Sequence, residues 1–513
     1  MTDSNRNSNN SNITDPGTDV RGEASNDVVS ATRLEADGSR FDVLVIGAGP
    51  AGMAAAIRLT EKGLRVVVVD EQIAPGGQIY RAVGESPFSK RAILGEDYWY
   101  GGTLVQRLKQ SGATLMPQST VWQVNRLAAG GLDIAVSCAG KTRMLFAAQI
   151  LLATGAQERP VPIPGWTRPG VMSVGAAQVL LKTTGAVPDG ATVLAGSGPL
   201  LWLYAAQVLR AGGRIDALLD TTPRAQMRQA ARYLFDFLRS DYVLKGLSLV
   251  REVKRSINVI SHVASFAAEG AGGNGGPVDA VSYTLQDGSR GRCAVDTLLI
   301  HQGVVPNVNL SNALHCAHEW SDVQCCWAPV VDAWFQSSHA DIFIAGDGSG
   351  IGGARAAEAQ GELAALQIAH RANACSIAER DTAAAEVRAR LGRALRGRAF
   401  FETIYRPAEA MRVPSGETIV CRCEEVTAEQ VRDAARVGCS GPNQLKAFLR
   451  CGMGPCQGRM CGLTVSEILA SESGKTMQEV GYYTLRFPTK PLTLAEIAGL
   501  PSTAAGEYAV VTA

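Results

Sequence analysis

The chain has almost no excess of either charge: 49 Lys and Arg stand against 48 Asp and Glu over 513 residues, a net of +1. A nucleic-acid binder needs a basic face or stripe, so DNA and RNA are not expected partners. Long apolar runs are also missing. No stretch is long enough to span a bilayer, and residues 1–40, rich in Asn, Ser, Asp and Gly, contain no apolar signal core. Those residues are expected to form a disordered arm. The twelve cysteines lack the density of a disulfide scaffold, and four of them cluster with metal-ligand spacing, which points to a reducing compartment and a cytoplasmic location. The six histidines form no recognisable pair, so no catalytic acid or base is assigned. His301 reads as a satisfied structural residue, and Trp166, Trp327 and Trp334 as packing groups.

Apolar residues make up 46% of the chain, enough for several cores at this length. The run Asp42 to Ile46 reads as a buried parallel strand entering a glycine turn, followed by an alanine-rich helix and a second strand at Val66 to Val69. The same strand, turn and helix recur from Ala191. The expected fold class is therefore α/β: two Rossmann-like dinucleotide-binding domains, the second inserted in the first, and a small helical C-terminal domain. The first domain is placed at 41–164 and 296–375, with Thr297 to Ile300 as a strand returning to it, and the second at 165–295. A helical linker covers 376–415, the cysteine domain 416–475 and a C-terminal tail 476–513.

Gly47-Ala-Gly49-Pro-Ala-Gly52 is a GxGxxG motif between a strand and a helix. Gly47 permits the tight turn, Gly49 a close approach to a pyrophosphate and Gly52 the packing of helix on strand. Asp70, ending the second strand, can accept ribose hydroxyls, and the adjacent Glu71 can share that task. The second turn, Gly196-Ser-Gly198-Pro-Leu-Leu201, keeps two glycines but has Leu201 where the helix–strand contact asks for Gly or Ala. With Asp220 as a distant ribose acid, an NAD(P) site there competes with a retained fold or a purely structural nucleotide.

The first motif alone does not separate FAD from NAD. Leu152-Ala-Thr154-Gly155 and Ile342-Phe-Ile-Ala-Gly346-Asp347-Gly348 resemble the two-dinucleotide-domain flavoproteins. That resemblance implies that Gly346 and Asp347 hold FAD, the aspartate meeting the ribityl chain. It also places Gly76-Gly77-Gln78 near the flavin ring, Thr154 and Gly155 at the site, and Val121 on the strand whose backbone meets adenine. Disulfide reduction is not expected, because no CxxC follows Gly77. The pair Cys325-Cys326 reads as buried small hydrophobes.

Cys421-Arg-Cys423 and Cys456-Gln-Gly-Arg-Met-Cys461 supply two thiolate pairs separated by two predicted helices, Thr427 to Arg436 and Pro442 to Arg450. Four soft ligands suit iron–sulfur or zinc. The one-residue gap is tighter than common zinc spacings, and a flavin upstream favours a redox metal. The negative charge of a [2Fe–2S] cluster can be balanced by Arg422, Lys446, Arg450 and Arg459. Cys439 and Cys451 in the same segment leave ligand exchange open. The segments Cys421 to Thr427 and Gly452 to Cys461 resemble the bacterioferritin-associated-ferredoxin-like domain of heteromeric amine dehydrogenases. That pattern assigns Cys421, Cys423, Cys456 and Cys461 and leaves Cys451 as a spare.

From about Phe41 to Ala498 the chain is similar to the flavin-binding A- or α-type subunits of opine oxidases, hydrogen cyanide synthase and D-hydroxyproline dehydrogenase. Ala153-Thr-Gly-Ala-Gln-Glu-Arg-Pro160, Pro164-Gly-Trp166 and Pro169-Gly-Val-Met172 carry that resemblance. It implies a partner β subunit with its own flavin that removes hydride from an amine carbon, giving an imine that water hydrolyses. It also implies an FMN where the two chains meet, a quinone or cytochrome acceptor, room for a small third subunit, and a cytoplasmic position that can be peripheral to the inner membrane. Two other readings stand beside it: an NAD(P)H-dependent reductase feeding its own cluster, and an assembly or iron-handling module.

Overall fold

The computed structural model describes residues 40–272 and 275–500. The expected disordered arm, Arg40 apart, and the end of the tail lie outside the described residues. The first sheet begins with β1 (Arg40–Ile46) and β2 (Val66–Val69), paired in parallel with Val43 opposite Val66, and helix α1 (Pro50–Glu61) makes the crossover. Val43 to Ile46 of β1 and all four residues of β2 are Val, Leu or Ile and buried, because helices and further strands cover both of their faces. Helix α2 (Glu96–Gln110) leads to the edge strand β3 (Thr114–Met116), and β4 (Ser119–Arg126), β5 (Leu132–Cys138) and β6 (Lys141–Leu152) form an antiparallel meander. The order is β3-β2-β1-β6-β5-β4.

The chain leaves this sheet through β7 (Ala156–Glu158) and builds a second one. Strand β8 (Val171–Ser173), helix α3 (Val174–Thr184), β9 (Thr192–Ser197), helix α4 (Pro199–Arg210), β10 (Ala217–Asp220) and β11 (Asn258–Ser261) precede an antiparallel trio, β12 (Val263–Glu269), β13 (Ala280–Leu285) and β14 (Arg290–Ala294). Strand β15 (Thr297–Gln302) then enters between β8 and β9, giving the parallel order β11-β10-β9-β15-β8. This corrects the expectation that Thr297 to Ile300 returns to the first domain: Leu298 lies opposite both Val171 and Val193, inside the second sheet. The return comes one strand later. β16 (Val304–Pro306) pairs antiparallel with β7, so the outgoing and incoming chains run side by side between the sheets.

After the hairpin β17 (His318–Ser321) and β18 (Cys326–Pro329), β19 (Ile342–Ile344) completes the first sheet beside β6. Helix α5 (Ala354–Arg371) follows and lies on α1, where Gly361 permits contact with the Ala51 backbone. Helix α6 (Ile377–Leu395) starts at a Ser376–Glu379 capping box and buries Ala384 and Val387 against α5.

The cysteine segment folds as a hairpin, β20 (Ile419–Cys421) and β21 (Val426–Thr427), then α7 (Ala428–Arg436), α8 (Pro442–Leu449) and α9 (Gly462–Ser473). Thr427 caps α7 in a capping box with Gln430, and Gly441 stands at the N-terminal cap position of α8 without a side-chain cap. The domain does not stop at residue 475. Val480, Tyr483 and Leu485 share its core with Val431, Leu445 and Val465, because three short helices alone leave a face of the cysteine loop uncovered. No helix among the described residues is long and apolar enough to cross a membrane.

Candidate functional site

The first glycine turn stands where strand β1 ends. Gly47 has φ +105° and its N–H donates to Val69 O at 2.8 Å; a Cβ there would run into the Ala153 carbonyl. A Cβ on Gly52 would run into the Gly47 carbonyl, and one on Gly77 would stand 2.9 Å from Gly49 Cα. Helix α1 starts at Gly49 with Pro50 in its first turn and no side-chain cap, which leaves its leading amides open to an anion. Asp70 accepts from Ala48 N at 2.5 Å and Gln72 N at 2.7 Å. Burial raises its carboxyl above the ordinary value while these two amides pull the other way.

Other expected residues converge on the same end of the sheet. A Cβ on Gly348 would lie 3.2 Å from Thr154 Oγ1 and 3.4 Å from Gly155 N, and one on Gly346 2.9 Å from Ala51 Cβ. Asp347 Oδ1 accepts from Gly352 N (2.9 Å) and Gly353 N (2.8 Å). Val121 is buried in β4, whose first residue Ser119 donates from its N–H to Asp70 O at 2.9 Å. Gln78 accepts from Arg81 Nη2 at 3.1 Å. Glu71 does not join them: it is exposed and pairs with Lys490 at 2.9 Å. The gathered set is a cradle of backbone held open by glycines, with acids at both ends, and it fits a dinucleotide of the FAD type.

Lys182 carries no motif, yet it closes this cradle from the second domain. Its ammonium is buried and donates to Gln78 O and Ile79 O, each at 3.1 Å, and to Gln178 Oε1 at 3.0 Å. Burial, aided by repulsion from Arg81, pulls its pKa down to about 7. Gln178 in turn donates to Gln207 Oε1 at 2.8 Å, so the latch runs back into helix α4.

The second turn is differently filled. Gly196 (φ +146°) and Gly198 (φ +128°) turn as expected, and α4 begins without a side-chain cap. Leu201, however, is fully buried in the core beneath the turn. The imidazole of His301 lies against the turn, its Nε2 3.0 Å from where a Gly198 Cβ would stand. His301 Nδ1 donates to Glu158 Oε1 at 2.6 Å, and Glu158 Oε2 accepts from Gly175 N at 2.7 Å. Asp220 Oδ1 accepts from Thr222 N at 3.0 Å. This dyad was not visible in the spacing, because Glu158 and His301 meet only through the β7 and β15 topology.

In the cysteine domain the sulfurs of Cys421, Cys451 and Cys461 all lie within 4.8 Å of one another, and all three residues are buried. Cys451 is therefore not set apart from the site as the spare of the sequence pattern. The thiols of Cys451 and Cys461 donate to the Cys421 sulfur, which pulls Cys421 down to about 2; the same bond pushes Cys451 up to about 12 and Cys461 well above its usual value. Cys423, exposed, and Cys456, half-buried, hydrogen-bond to each other as a second group. Gly454 leaves room for the Cys423 side chain, and Gly452 and Gly458 flank the Tyr483 ring, whose hydroxyl stands 3.9 Å from Cys461 Sγ. An all-thiol donor set with a buried floor suits a soft metal centre, either iron–sulfur or zinc.

The basic residues expected to balance a cluster have other contacts. Arg422 lies over Trp166, Arg450 bonds Glu424 at 3.3 Å, and Arg459 Nη1 donates to Thr489 O at 3.5 Å. Lys446 donates to Thr484 O at 3.0 Å and stands 5.1 Å from the Tyr483 ring centroid. Cys439 is buried in the same core, outside the trio.

A short path joins the two sites. Asn307 N donates to Gly155 O at 3.0 Å, and two residues on, Asn309 Nδ2 donates to Gln457 O at 3.2 Å. Gln157 Nε2 donates to Arg459 O at 2.9 Å. Trp327 and Tyr482 face each other across this junction at 6.4 Å, and Tyr482 leads to Tyr483 at 5.9 Å.

Residues 41–361 match the family described as pyridine nucleotide-disulphide oxidoreductase, and residues 415–500 match the sarcosine oxidase A3 domain. The A-type subunit of opine oxidase from Agrobacterium tumefaciens is 45% identical over 476 residues, covering 92% of this chain and 94% of that protein. The HcnB subunit of hydrogen cyanide synthase from Pseudomonas aeruginosa is 33% identical, covering 89% of this chain and 98% of that one. Among solved structures, L-proline dehydrogenase from P. horikoshii superposes with a TM-score of 0.64 at 18% identity, over 89% of this chain and 79% of that one, a likeness of fold.

Proposed function

Because the chain belongs to the pyridine nucleotide-disulphide oxidoreductase family, and within it to the group of the A-type subunits of opine oxidase, we propose that it is the FAD- and [2Fe–2S]-bearing electron-transfer subunit of a heteromeric amine or amino-acid dehydrogenase. The substrate is of the opine or hydroxyproline class. It is oxidised on a partner β subunit that has its own flavin, with an FMN at the interface and a quinone or cytochrome as final acceptor. Bound FAD supplies a carrier that takes electrons in pairs, and a [2Fe–2S] centre one that takes them singly.

The chain's own residues have simpler tasks. Gly47, Gly49 and Gly52 bring backbone amides to the pyrophosphate, Asp70 receives the ribose, and Asp347, Thr154, Gly155 and Gly77 line the rest of the cradle. Cys421, Cys423, Cys456 and Cys461 hold the cluster. The observation that carries the reading is the junction itself: Asn307 touches the flavin end of the first sheet and Asn309 the cysteine loop, within three residues of one strand exit.

The second reading, an NAD(P)H-dependent reductase, draws on Gly196 and Gly198. Leu201 beneath that turn and the His301 imidazole against it speak against a hydride donor there. Anaerobic reduction separates the two. The chain purified with its partner should bleach its flavin absorbance on addition of an opine-type secondary amine and remain oxidised with NADH. Rapid bleaching by NADH, with none by the amine, overturns the proposal in favour of the reductase.

A further inference from the structure

The buried thiols outnumber the places that a four-thiolate cluster leaves for them. The structure divides the five cysteines into an outer pair, Cys423 with Cys456, and an inner trio, Cys421, Cys451 and Cys461. A four-thiolate [2Fe–2S] centre takes two sulfurs on each iron, so the outer pair serves one iron and the trio offers three sulfurs for two places. Tetrahedral thiolates on one ion stand about 3.8 Å apart, given a metal–sulfur bond of about 2.3 Å. The mutual separations within 4.8 Å are close to that spacing without any chain movement.

We propose that Cys421, Cys451 and Cys461 form a thiolate site able to hold a single thiophilic divalent ion such as Zn2+ without the outer pair, and that Cys451 is a working ligand of the inner position. This rests on reading the cysteine segment as a metal site. Cys451 is fully buried, ends the turn after helix α8, and is fixed beside Cys421 by Arg450 in the left-handed conformation (φ +57°) and by Gly452 (φ +87°). On binding, three sulfur–metal bonds form, the thiol protons pass to solvent and water completes the tetrahedron. No oxidant or reductant is needed. Cluster loss at the exposed Cys423 then leaves a floor that captures zinc.

The test uses the full chain. C423S/C456S changes only the outer pair, exposed Cys423 and half-buried Cys456. Its metal-free form should bind one Co2+ with an intense thiolate-to-cobalt charge-transfer band, displaced by Zn2+. Adding C451S should weaken Co2+ binding by at least about 100-fold, one thiolate in three being lost. Equal binding with and without C451S, or no charge-transfer band in C423S/C456S, overturns the proposal. Alkylation guards against a triple variant that does not fold: in C423S/C456S under mild denaturant, Zn2+ should protect Cys451 together with Cys421 and Cys461, as mapped by mass spectrometry. Labelling of Cys451 at the metal-free rate overturns it as well. Iron and sulfide in the anaerobically purified wild type test the cluster reading separately, since a wild type without them defeats that reading while leaving the cobalt result to decide this one.

Discussion

Lys182→Met is the substitution whose effect can be worked furthest from the structure. The buried ammonium has its pKa lowered from 10.5 to about 7, a difference worth about 5 kcal/mol at about 1.4 kcal/mol per unit. The lowered value fixes the sign. Between about pH 7 and 10.5 the unfolded chain holds a proton on this lysine that the folded chain has released, so stability rises with pH across that window. Below it the lysine is charged in both states and the fold bears the whole desolvation cost. The wild type should therefore gain about 2.5 kcal/mol relative to K182M between pH 7 and pH 9. Methionine matches the length of lysine but leaves the Gln78 and Ile79 carbonyls without donors, a loss of about 1–3 kcal/mol for each buried group. K182M should be the less stable at pH 9, with the gap closing toward pH 6, and it should release FAD more readily, since those carbonyls belong to the loop over Gly49. Melting temperatures of both proteins from pH 6 to 9, with flavin fluorescence read on the same samples, measure both effects. A gap that stays constant or widens toward acid would refute the assignment of this buried proton.

Gly52→Ala drives a Cβ into the Gly47 carbonyl, backbone against backbone; overpacking of about 1–3 kcal/mol should weaken FAD binding about 5- to 150-fold, seen as flavin lost on gel filtration. Glu158→Gln removes the carboxylate that His301 and Gly175 share, and should lower stability by about 1–3 kcal/mol with flavin content unchanged. Tyr483→Phe takes away the hydroxyl next to Cys461; on the function proposed, since donors to sulfur raise the potential of an iron–sulfur centre, a cluster in the variant should titrate with dithionite at a more negative potential than in wild type.

The first glycine turn was legible because its requirements are local: Gly47 and Gly52 face carbonyls that tolerate no side chain, and Asp70 ends a strand at a fixed remove. Strand β15 was not, since Thr297-Leu-Leu-Ile reads equally well as a buried parallel strand of either sheet, and only its register with Val171 and Val193 assigns it. Lys182 looks like a helix lysine with Gln178 four residues before it; that a loop from another domain buries it leaves no trace in spacing. The cysteine pattern picks out two pairs that are neighbours in sequence, but the approach of Cys451 to Cys421 depends on the turn at Arg450 and Gly452. Tyr482 and Tyr483 fell beyond the expected boundary because the domain recruits the segment after α9, a short helix (Met477–Val480) and the irregular stretch behind it, to close its core.

The paired strands β7 and β16 are the structural key to the assembly. Among the described residues they are the only covalent passage between the two sheets, and their neighbours Gln157 and Asn309 also hold the cysteine loop. A rotation of the second domain would bend this passage, yet Asn307 and Asn309 lie on its first-sheet side, fixed to Gly155 and to Gln457. The flavin cradle and the thiol site are thus joined directly on the first-sheet side, while the second domain touches the thiol domain separately, Trp166 Nε1 donating to Ile419 O at 2.6 Å and Arg422 lying over the Trp166 ring. Electron exchange between them, on the function proposed, needs no domain swing, in contrast to a carrier tethered on a linker. The second domain also reaches the flavin loop directly, through Lys182, whose ammonium donates to Gln78 O and Ile79 O.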